Sequence, residues 1–389
     1  MKILHTVEFY SPSMGGAQEV VRQLSVRMAK MGHDVTVATT KLAERKKKLI
    51  DGVKIEEFDI KGNAVVGISG EVDRYQQFLV DGDFDVVMNY AAQQWATDLT
   101  YDVLDQIKGR KIIVPCGYSA LSNPGFNDYF TKMPTILNKY DASVYLSGKY
   151  RDIDFARKHK VKNLNIIQNG ADENEFKDLI DKNVYRKRNN INDFFIVTIG
   201  NHTGSKGHSE MIDTLKKLPF AATLAIIGHN HNDGCFDECT TKAQLINEAN
   251  YVGRPKKRIM ILEVSRPETI NALKSADVFL FLSNIEASPI VLFEAAASAV
   301  PFVTTAAGNS AEIAKWTKGG IVVKTFPDEL HEGNVFASID SAVRALTLLY
   351  RFPSYRTYLG KRGRKNWQNN YTWGNITKKY LALYEDKKS

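Results

Sequence analysis

The sequence has few cysteines and no long apolar run. Its three cysteines, Cys116, Cys235 and Cys239, are too few for a disulfide framework. No run of about eighteen uncharged apolar residues occurs, so no segment is predicted to span a membrane. Residues 1–7 enter a strand-like pattern directly and lack the apolar stretch of a signal peptide. A cytoplasmic location is therefore expected.

Signatures of nucleic-acid and dinucleotide binding are also missing. There is no zinc finger, RRM signature or alternation of aromatic and basic residues, so nucleic acid is not an expected partner. No G-x-G-x-x-G follows the first predicted strand, which disfavours an NAD-binding oxidoreductase. The net charge of +8 suits an anionic partner such as a nucleotide diphosphate or an acidic lipid headgroup. The basic clusters at 45–48, 157–160 and 361–365 are interpreted as solvated faces, with peripheral contact to the inner face of an anionic membrane left open.

Short β-branched runs alternate with helical stretches along the chain, which is typical of parallel sheets with crossover helices. A charged, Asn-rich stretch at 182–192 separates two such series, and turn residues at 169–172 mark the predicted domain boundary. Two open α/β sheets in tandem fit this pattern better than one sheet or a barrel. Residues 355–384 are predicted to be helical, with an aromatic packing face. The predicted strands are 3–7, 35–39, 54–60, 86–89, 112–114, 142–146 and 165–167, then 194–199, 223–227, 259–262, 278–282, 302–305 and 321–323.

The most informative segment, 276–299, has the pattern of a strand, a loop and a helix. Ser288 and Pro289 form a favourable N-cap and first-turn pair, so the helix is predicted to start near Pro289. This start lies at the carboxyl end of a parallel strand, where open α/β sheets bind ligands. The first-turn N–H groups and the helix dipole favour an anion such as a diphosphate.

Two glutamates lie in the same segment, Glu286 in the loop and Glu294 in the apolar body of the helix. A carboxylate among apolar residues must find hydrogen-bond donors or destabilise the fold. Ribose hydroxyls would serve for Glu294, and hydroxyls of a donor sugar for Glu286. The alternative is that Glu294 faces solvent and Glu286 is an ordinary loop charge, and the spacing alone favours neither.

Two glycine-containing turns are candidates for phosphate binding. In the loop at 200–207, Lys206 lies just ahead of a predicted helix and could neutralise a diphosphate, while Gly207 lets the backbone approach closely. Such Gly-Lys loops are common, so this signal is weak alone. Gly15 and Gly16 open the first predicted helix and could bring its N–H groups to a phosphate, although a tight turn explains them equally well.

The Glu-x7-Glu spacing of Glu286 and Glu294, with the following small-residue helix and the 300–308 segment, resembles the family 4 retaining glycosyltransferases. The likeness covers nearly the whole chain and is strongest from 165 to 323. It implies the α/β GT-B fold, in which two Rossmann-like domains with parallel sheets face each other across a cleft. Residues 1–170 would form the acceptor-side domain, with the last helix, 373–389, packed back on it. Residues 171–372 would bind the nucleotide-sugar.

The resemblance assigns Glu286 to the donor sugar, Glu294 to the nucleotide ribose and Lys206 to the diphosphate. Glu286 and Lys206 are the expected catalytic residues. Gly15 and Gly16 would close over the donor from the N-terminal domain. The other expected donor-binding residues are Gly200, Asn201, Gly207, Ser288, Pro289, Ile290 and Val291.

Two positions depart from the family pattern. Asn201 stands where an arginine is expected, so one phosphate-binding cation is missing or replaced, with His202 or His208 as candidate replacements. Cys116, followed by Gly117, stands where many relatives carry a histidine near the donor sugar and the acceptor. A thiol does not replace a histidine as a proton carrier or hydrogen-bond partner, so the acceptor-side chemistry is the least determined part of the site.

The implied reaction is transfer of a sugar, with retention, from a nucleotide-diphosphate sugar to a glycan or lipid-linked acceptor in cell-surface polysaccharide synthesis. No metal or other cofactor is required, because Lys206 and helix N-termini can serve the diphosphate. The alternatives are a non-catalytic nucleotide-sugar-binding protein, supported by Asn201 and Cys116, and a nucleotide-sugar 2-epimerase.

Two patterns that suggest metal sites are discounted. One cysteine and histidine cluster is compact in the sequence, but its spacing matches no common zinc module. The Asp-x-Asp patterns at 81–83 and 152–154 are interpreted as a turn and as the polar face of a helix. The discounted cluster consists of His229, His231, Cys235 and Cys239.

Overall fold

A computed structural model describes residues 1–13, 15–329, 331 and 333–386. The chain divides into two compact units: unit 1 combines Met1–Asn169 with the chain from Trp373 onward, and unit 2 is Gly170–Thr372. Met14, in the glycine turn after the first strand, and 387–389 of the expected last helix lie outside the described residues.

The helices and strands are numbered in chain order. The strands are β1 (Lys2–Thr6), β2 (Asp34–Thr40), β3 (Leu49–Ile50), β4 (Val53–Phe58), β5 (Ile60–Asn63), β6 (Gly67–Gly70), β7 (Val86–Tyr90), β8 (Arg110–Val114), β9 (Ala142–Tyr145), β10 (Leu164–Ile166), β11 (Phe194–Ile199), β12 (Ala222–Ile227), β13 (Lys257–Leu262), β14 (Val278–Phe281), β15 (Phe302–Thr304), β16 (Gly320–Val322), β17 (Thr325–Pro327) and β18 (Val335–Ala337). The helices are α1 (Gly16–Lys30), α2 (Val72–Asp81), α3 (Trp95–Asp98), α4 (Thr100–Val103), α5 (Asn127–Leu137), α6 (Arg151–Lys158), α7 (Lys182–Arg188), α8 (His208–Lys217), α9 (Asp233–Glu248), α10 (Arg266–Ser275), α11 (Ile290–Ala297), α12 (Ser310–Thr317), α13 (Ile339–Arg351), α14 (Pro353–Asn370) and α15 (Trp373–Glu385).

The main sheet of unit 1 has eight strands in the order β10-β9-β8-β7-β1-β2-β4-β3. All neighbours are parallel except β3 and β4. The chain builds the sheet outward from β1 on one side and then restarts with β7 on the other, so a topological switch point lies between β1 and β7. β7 is buried at all five positions, which is why it has the continuous apolar pattern of a parallel strand covered on both faces.

The main sheet of unit 2 has six parallel strands in the order β13-β12-β11-β14-β15-β16. This is the doubly wound Rossmann order, and its switch point lies between β11 and β14. β12 is buried at all six positions. The apolar runs that predicted these strands are therefore the core of the unit.

The predicted strand at 54–60 is two strands in the structure. β4 ends at Phe58 and β5 starts at Ile60, because the chain turns at Asp59 into the β5–β6 hairpin. Gly70 has φ +116 and a Cβ there would lie 1.9 Å from the Asp59 carbonyl oxygen, so the hairpin closes only with glycine. The sequence pattern does not predict this hairpin or the β17–β18 hairpin, since both are short and largely exposed.

The predicted helical stretch at 355–384 is interrupted. α14 ends at Asn370, the Tyr371 carbonyl accepts the Ala171 N–H at 3.0 Å, and Thr372 bridges to Ala171. Because that carbonyl bonds outside the helix, α15 starts afresh at Trp373 in unit 1. There it is anchored by the Tyr384 hydroxyl, 3.0 Å from His5 Nε2. Among the described residues, no helix is long and apolar enough to cross a membrane.

Candidate active site

Two loops meet at the switch point of the unit 2 sheet. The first, residues 200–207, follows β11, and the second, residues 282–289, follows β14. β11 and β14 pair directly, so both loops leave the same edge of the sheet side by side. The Asn284 N–H donates to the Ser205 carbonyl at 2.9 Å, which joins them. This is the edge at which open α/β sheets bind ligands.

Gly207 allows the close approach of the two loops. Its φ is +68, and a Cβ there would lie 1.9 Å from the Leu282 carbonyl oxygen. Any other residue would therefore push the first loop away from the second. Gly204, in the same loop, also has a positive φ of +82, but nothing lies within 4 Å of the position of its Cβ.

Lys206 and Glu286, the two residues expected to be catalytic, form an ion pair between these loops. Lys206 Nζ lies 2.6 Å from Glu286 Oε1, and the Ser283 hydroxyl donates to the same oxygen at 2.9 Å. The Glu286 side chain is 11% exposed and that of Lys206 is 27% exposed. The pair thus presents a cation and an anion side by side at the partly open end of the sheet.

The start of α11 differs from the sequence prediction. The helix begins at Ile290, with Pro289 as N-cap at φ −70 and ψ 114 and no side-chain cap. Ser288 is not the N-cap, because its hydroxyl accepts a hydrogen bond from Asn309 Nδ2 at 3.0 Å. The first-turn N–H groups of Ile290 and Val291 have no acceptor within the helix. They are the donors that α11 offers at this edge.

Glu294 is buried, with 6% of the residue exposed, so the interpretation as a solvent-facing residue is wrong. Its Oε1 lies 2.5 Å from Arg266 Nη2, and Arg266 also binds Glu175 at 2.6 Å. Burial lowers the pKa of Arg266, but the Glu294 and Glu175 carboxylates outweigh it and raise the pKa. The arginine therefore holds Glu294 in one orientation.

Arg266 and Glu175 were not predicted from the sequence as site residues. The only signal was indirect: a carboxylate in an apolar helix must have a donor. Arg266 is the first residue of α10 and follows β13, two strands from β11. Nothing local in the sequence links it to Glu294.

Asn201 and its neighbours do not supply the missing cation. Asn201 Oδ1 accepts the His229 N–H at 3.1 Å. Burial lowers the pKa of His202, and it lowers that of His208 to about 3, with His202 and Lys206 adding to the effect. Both imidazoles are therefore neutral near pH 7. The expectation that either replaces the charge of an arginine is wrong.

Gly200, the other glycine expected at the donor, lies at the start of the first loop. A Cβ there would lie 3.4 Å from Cγ of Lys206. The absence of a side chain at Gly200 therefore leaves space for the aliphatic part of the Lys206 side chain. Its expected contact with the donor stays a prediction.

In unit 1, Cys116 and Gly117 lie in a tight turn after β8. Cys116, Gly117 and Tyr118 have φ values of 60, 102 and 47. Asp152 accepts the Gly117 N–H at 2.9 Å, and Arg151 Nε donates to the Gly117 carbonyl at 2.8 Å. The predicted helix is present as α6, but Asp152 in its first turn is buried against the chain at Gly117, so its predicted place on the polar face is wrong.

The thiol at this turn is neutral at pH 7, and the buried carboxyl group beside it has a raised pKa. Burial, followed by the charge of Asp152, raises the pKa of Cys116 to about 11, so the group is a thiol at pH 7. Burial raises the pKa of Asp152 to about 6, against backbone hydrogen bonds that lower it. A neutral thiol is a poor base, which fits the expectation that Cys116 does not replace a histidine.

Gly15 and Gly16 lie where β1 leads into α1, also in unit 1. Gly15 is extended at φ −179, and a Cβ there would meet only the flexible end of Gln18. Among the residues that the structure describes, none has an atom within 4 Å of the position of a Gly16 Cβ. The described neighbours thus require glycine at neither position, and the expected contact of the pair with a phosphate stays a prediction.

Comparison with known proteins identifies the segment that carries the two loops. Residues 181–366 match the model of the glycosyl transferases group 1 family. This segment, called the group 1 domain below, is similar to that family. The mannosylfructose-phosphate synthase of Agrobacterium fabrum is 24% identical over 253 residues, which are 63% of this chain and 51% of that protein. The chain thus spans about half the length of this curated relative.

Solved structures similar to the chain have the same fold. The sucrose-phosphate synthase of Thermosynechococcus elongatus matches with a TM-score of 0.77 at 15% identity, over 98% of both chains. Anabaena HepE in complex with UDP-glucose matches with a TM-score of 0.72 at 14% identity, over 98% of this chain and 99% of that one. The expected GT-B fold is confirmed. The group 1 domain contains Lys206, Glu286 and Glu294.

Proposed function

We propose that the chain is a retaining glycosyltransferase that moves a sugar from a nucleotide-diphosphate sugar to a glycan or lipid-linked acceptor. The observation that carries this proposal is the Lys206–Glu286 ion pair beside the N-terminus of α11, in the group 1 domain. The relatives add support, since two are named as sugar-phosphate synthases and a third is solved with UDP-glucose.

The diphosphate is the charged part of such a donor. Lys206 Nζ and the N–H groups of Ile290 and Val291 would bind it and stabilise the negative charge that develops as it leaves. Glu286 keeps Lys206 at this edge of the sheet before the donor arrives. A diphosphate would then compete with Glu286 for the ammonium group and share it.

The two glutamates would bind hydroxyl groups of the donor. Once the diphosphate also binds Lys206, Glu286 would be available to orient the sugar. Glu294 has two oxygens with about four acceptor sites, of which Arg266 Nη1 and Nη2 occupy two. The remaining sites can accept ribose hydroxyls.

In the reaction, the bond between the anomeric carbon and the phosphate oxygen breaks. The acceptor oxygen bonds to the anomeric carbon on the same face, which gives retention. The acceptor proton passes to the leaving phosphate oxygen, so no protein base is needed. Neutral Cys116 fits this route, because a thiol with a pKa of about 11 does not act as a base at pH 7. The scheme calls for no metal ion or other cofactor.

A thermal-shift screen of UDP-, GDP- and ADP-sugars tests donor binding. One donor class should raise the melting temperature of the wild type, because a ligand that binds only the folded state stabilises it. Lys206→Ala and Glu294→Ala should lose that shift, and Lys216→Ala, at an exposed position of α8, should keep it. Absence of any shift at millimolar donor would contradict the proposal. With an acceptor in hand, the anomeric configuration of the product, read by NMR, tests retention.

A non-catalytic nucleotide-sugar binder is the second candidate. It is favoured by Asn201, whose side chain is engaged with His229 where a phosphate-binding arginine is expected. Such a protein would show the thermal shift but would release no nucleotide with any glycan or lipid-linked acceptor. Nucleotide release that depends on the acceptor would exclude it.

A lipid-linked acceptor would bring the protein to an anionic membrane surface. The clusters at 157–160 and 361–365 expose Lys and Arg side chains that suit such a surface. In the third cluster, Arg45 is buried against Glu57 at 2.6 Å, so the interpretation of that residue as solvated is wrong. Sedimentation with anionic vesicles at low salt, reversed at high salt, is the expected result. No sedimentation at low salt would remove the membrane from the proposal.

A further inference from the structure

Four metal-ligating side chains meet in unit 2 beside the loop that carries Lys206. They are His202, His208, Cys235 and Cys239, and one ligand atom of each lies within 4.8 Å of the others. His202, His208 and Cys239 are buried and Cys235 is partly buried. The set differs from the discounted cluster, because exposed His229 pairs with Glu263 at 2.7 Å instead.

Three elements of the fold bring these residues together. His202 follows β11, where its N–H donates to the His229 carbonyl at 2.9 Å. His208 is the first residue of α8. Cys235 and Cys239 lie in the first two turns of α9, and their spacing of four places both on one face of that helix.

The distances suit a tetrahedral ion. Zn–S bonds of about 2.3 Å and Zn–N bonds of about 2.0–2.1 Å place neighbouring ligand atoms about 3.3–3.8 Å apart. Cys235 Sγ lies 3.7 Å from His202 Nδ1 and 3.9 Å from His208 Nδ1. These two contacts need shifts of only a few tenths of an ångström, and the other ligand atoms lie within 4.8 Å of one another.

The histidines also have unused hydrogen-bonding atoms. Within the described part of the chain, Nε2 of His202 and Nε2 of His208 are buried and have no hydrogen-bond partner. Because the Nδ1 atoms face Cys235 Sγ, a metal bound through them would leave the proton of each ring on Nε2. Nδ1 is then the unprotonated atom of each neutral imidazole, which is the form that binds metal.

We propose that His202, His208, Cys235 and Cys239 bind a structural zinc ion. Two thiolates and two neutral imidazoles balance the charge of Zn²⁺, so the buried site has no net charge. Both thiol protons pass to solvent as the metal binds. Four protein ligands fill the tetrahedron and leave no position for substrate, which is typical of structural zinc.

The ion would fix the loop of the candidate active site. His202 and His208 flank Lys206 in the sequence, and α9 supplies the other two ligands. Zinc would therefore anchor both ends of the segment that presents Lys206 to the second loop. Metal binding itself requires neither a donor nor catalysis, so this proposal does not rest on the proposed function.

The first test is the zinc content of the full chain, purified under reducing conditions without a metal-affinity step and measured by plasma mass spectrometry. About one zinc per chain is expected. His208→Ala and the double variant Cys235→Ser/Cys239→Ser should reduce the content roughly tenfold or more. The matched controls His231→Ala and Cys116→Ser should keep it, because these residues lie outside the site.

A second test uses the unaltered chain, in case a variant fails to fold. Cobalt(II) exchanged into the chain should give the intense visible bands of a tetrahedral site together with thiolate-to-cobalt charge-transfer absorption. Background zinc in the wild type, or equal zinc in His208→Ala and His231→Ala, would overturn the proposal. So would a cobalt spectrum without thiolate bands, or a Cys235–Cys239 disulfide in the freshly purified protein.

Discussion

The two units wind their sheets in the same way but differ in what their strand ends carry. In unit 2, the loops beyond the switch point hold the charged pair of Lys206 with Glu286, and helices α10 and α11 hold that of Arg266 with Glu294. In unit 1, the turn after β8 holds a neutral thiol, Cys116, and a buried carboxyl group with a raised pKa, Asp152.

The difference shows that the sheet topology determines where a ligand can bind, whereas the side chains at the strand ends determine which kind of ligand binds there. Paired charges at the unit 2 edge suit a diphosphate. The carboxylate neutralises the cation before the ligand binds, and the diphosphate can then replace the carboxylate as the partner of the cation. The neutral thiol and the backbone groups at the unit 1 turn suit an uncharged group such as a sugar hydroxyl. Four substitutions test this contrast, in order of decreasing expected effect.

The largest effect is expected from Lys206→Ala. Removing the cation that neutralises the leaving diphosphate should lower kcat/KM by about 10²–10³-fold. Lys216→Ala, on the exposed side of α8, should leave the rate unchanged. Initial rates of nucleotide release with the donor from the thermal-shift screen provide the measurement. Equal rates for the two variants would remove Lys206 from the site.

The next effect is on stability. Arg266→Met leaves Glu294 and Glu175 without their shared cation, and breaking a buried pair costs about 3–5 kcal/mol. Because the Arg266 side chain is 35% exposed, we expect a smaller loss of about 2 kcal/mol in the free energy of unfolding in urea. Arg188→Met breaks an exposed pair with Glu268 and should cost less than about 1 kcal/mol. An equal loss of unfolding free energy in the two variants would show that the burial of Glu294 does not make its ion pair more important for stability than an exposed pair.

A matched pair of glycines separates backbone strain from loop contact. Gly204→Ala and Gly207→Ala both place a side chain at positive φ, which costs about 1–2 kcal/mol each. Only at Gly207 does the new Cβ collide with the Leu282 carbonyl and move the loops apart. The donor-dependent thermal shift should therefore be lost in Gly207→Ala and kept in Gly204→Ala. Loss in both would mean that strain alone disables the loop.

The smallest effect is a pH dependence in unit 1. The folded pKa of Asp152, about 6, is above the ordinary value of 3.8. This group therefore adds stability at low pH, and the contribution is lost as the pH rises through 6. Between pH 7.5 and pH 5 the wild type should gain about 1 kcal/mol relative to Asp152→Asn. Exposed Asp154 is the control, and Asp154→Asn should track the wild type in urea melts at both pH values.

Much of the fold could be predicted from the sequence, because buried parallel strands are continuous apolar runs. β11 has the predicted bounds, 194–199, and most other strands differ by one or two residues at an end. The exposed hairpins β5–β6 and β17–β18 were missed, since they carry no such run. The break at Tyr371 was also missed, because the bond that causes it comes from Ala171, far away in the sequence.

The candidate site was predictable where one segment carries the chemistry. Glu286, Glu294 and Lys206 come from motifs with local spacing, although their donor contacts stay predictions. Pairings between distant segments were not predictable, as with Arg266 and Glu294.

The histidine and cysteine cluster shows the same limit. The sequence suggested His229, which is close to Cys235 along the chain. The structure instead brings in His202, because β11 and β12 are parallel neighbours whose ends meet. Contacts between the ends of neighbouring strands determine which histidines and cysteines come together. The sequence alone does not specify these contacts.

The central claim is that a nucleotide-sugar binds at the two unit 2 loops. Hydrogen–deuterium exchange with and without a saturating donor tests it directly, because it locates the bound ligand along the chain. We predict slower exchange in peptides covering 200–208 and 283–292 of the wild type, and no such change in Lys206→Ala. Protection confined to other segments, or none at saturation, would contradict the account.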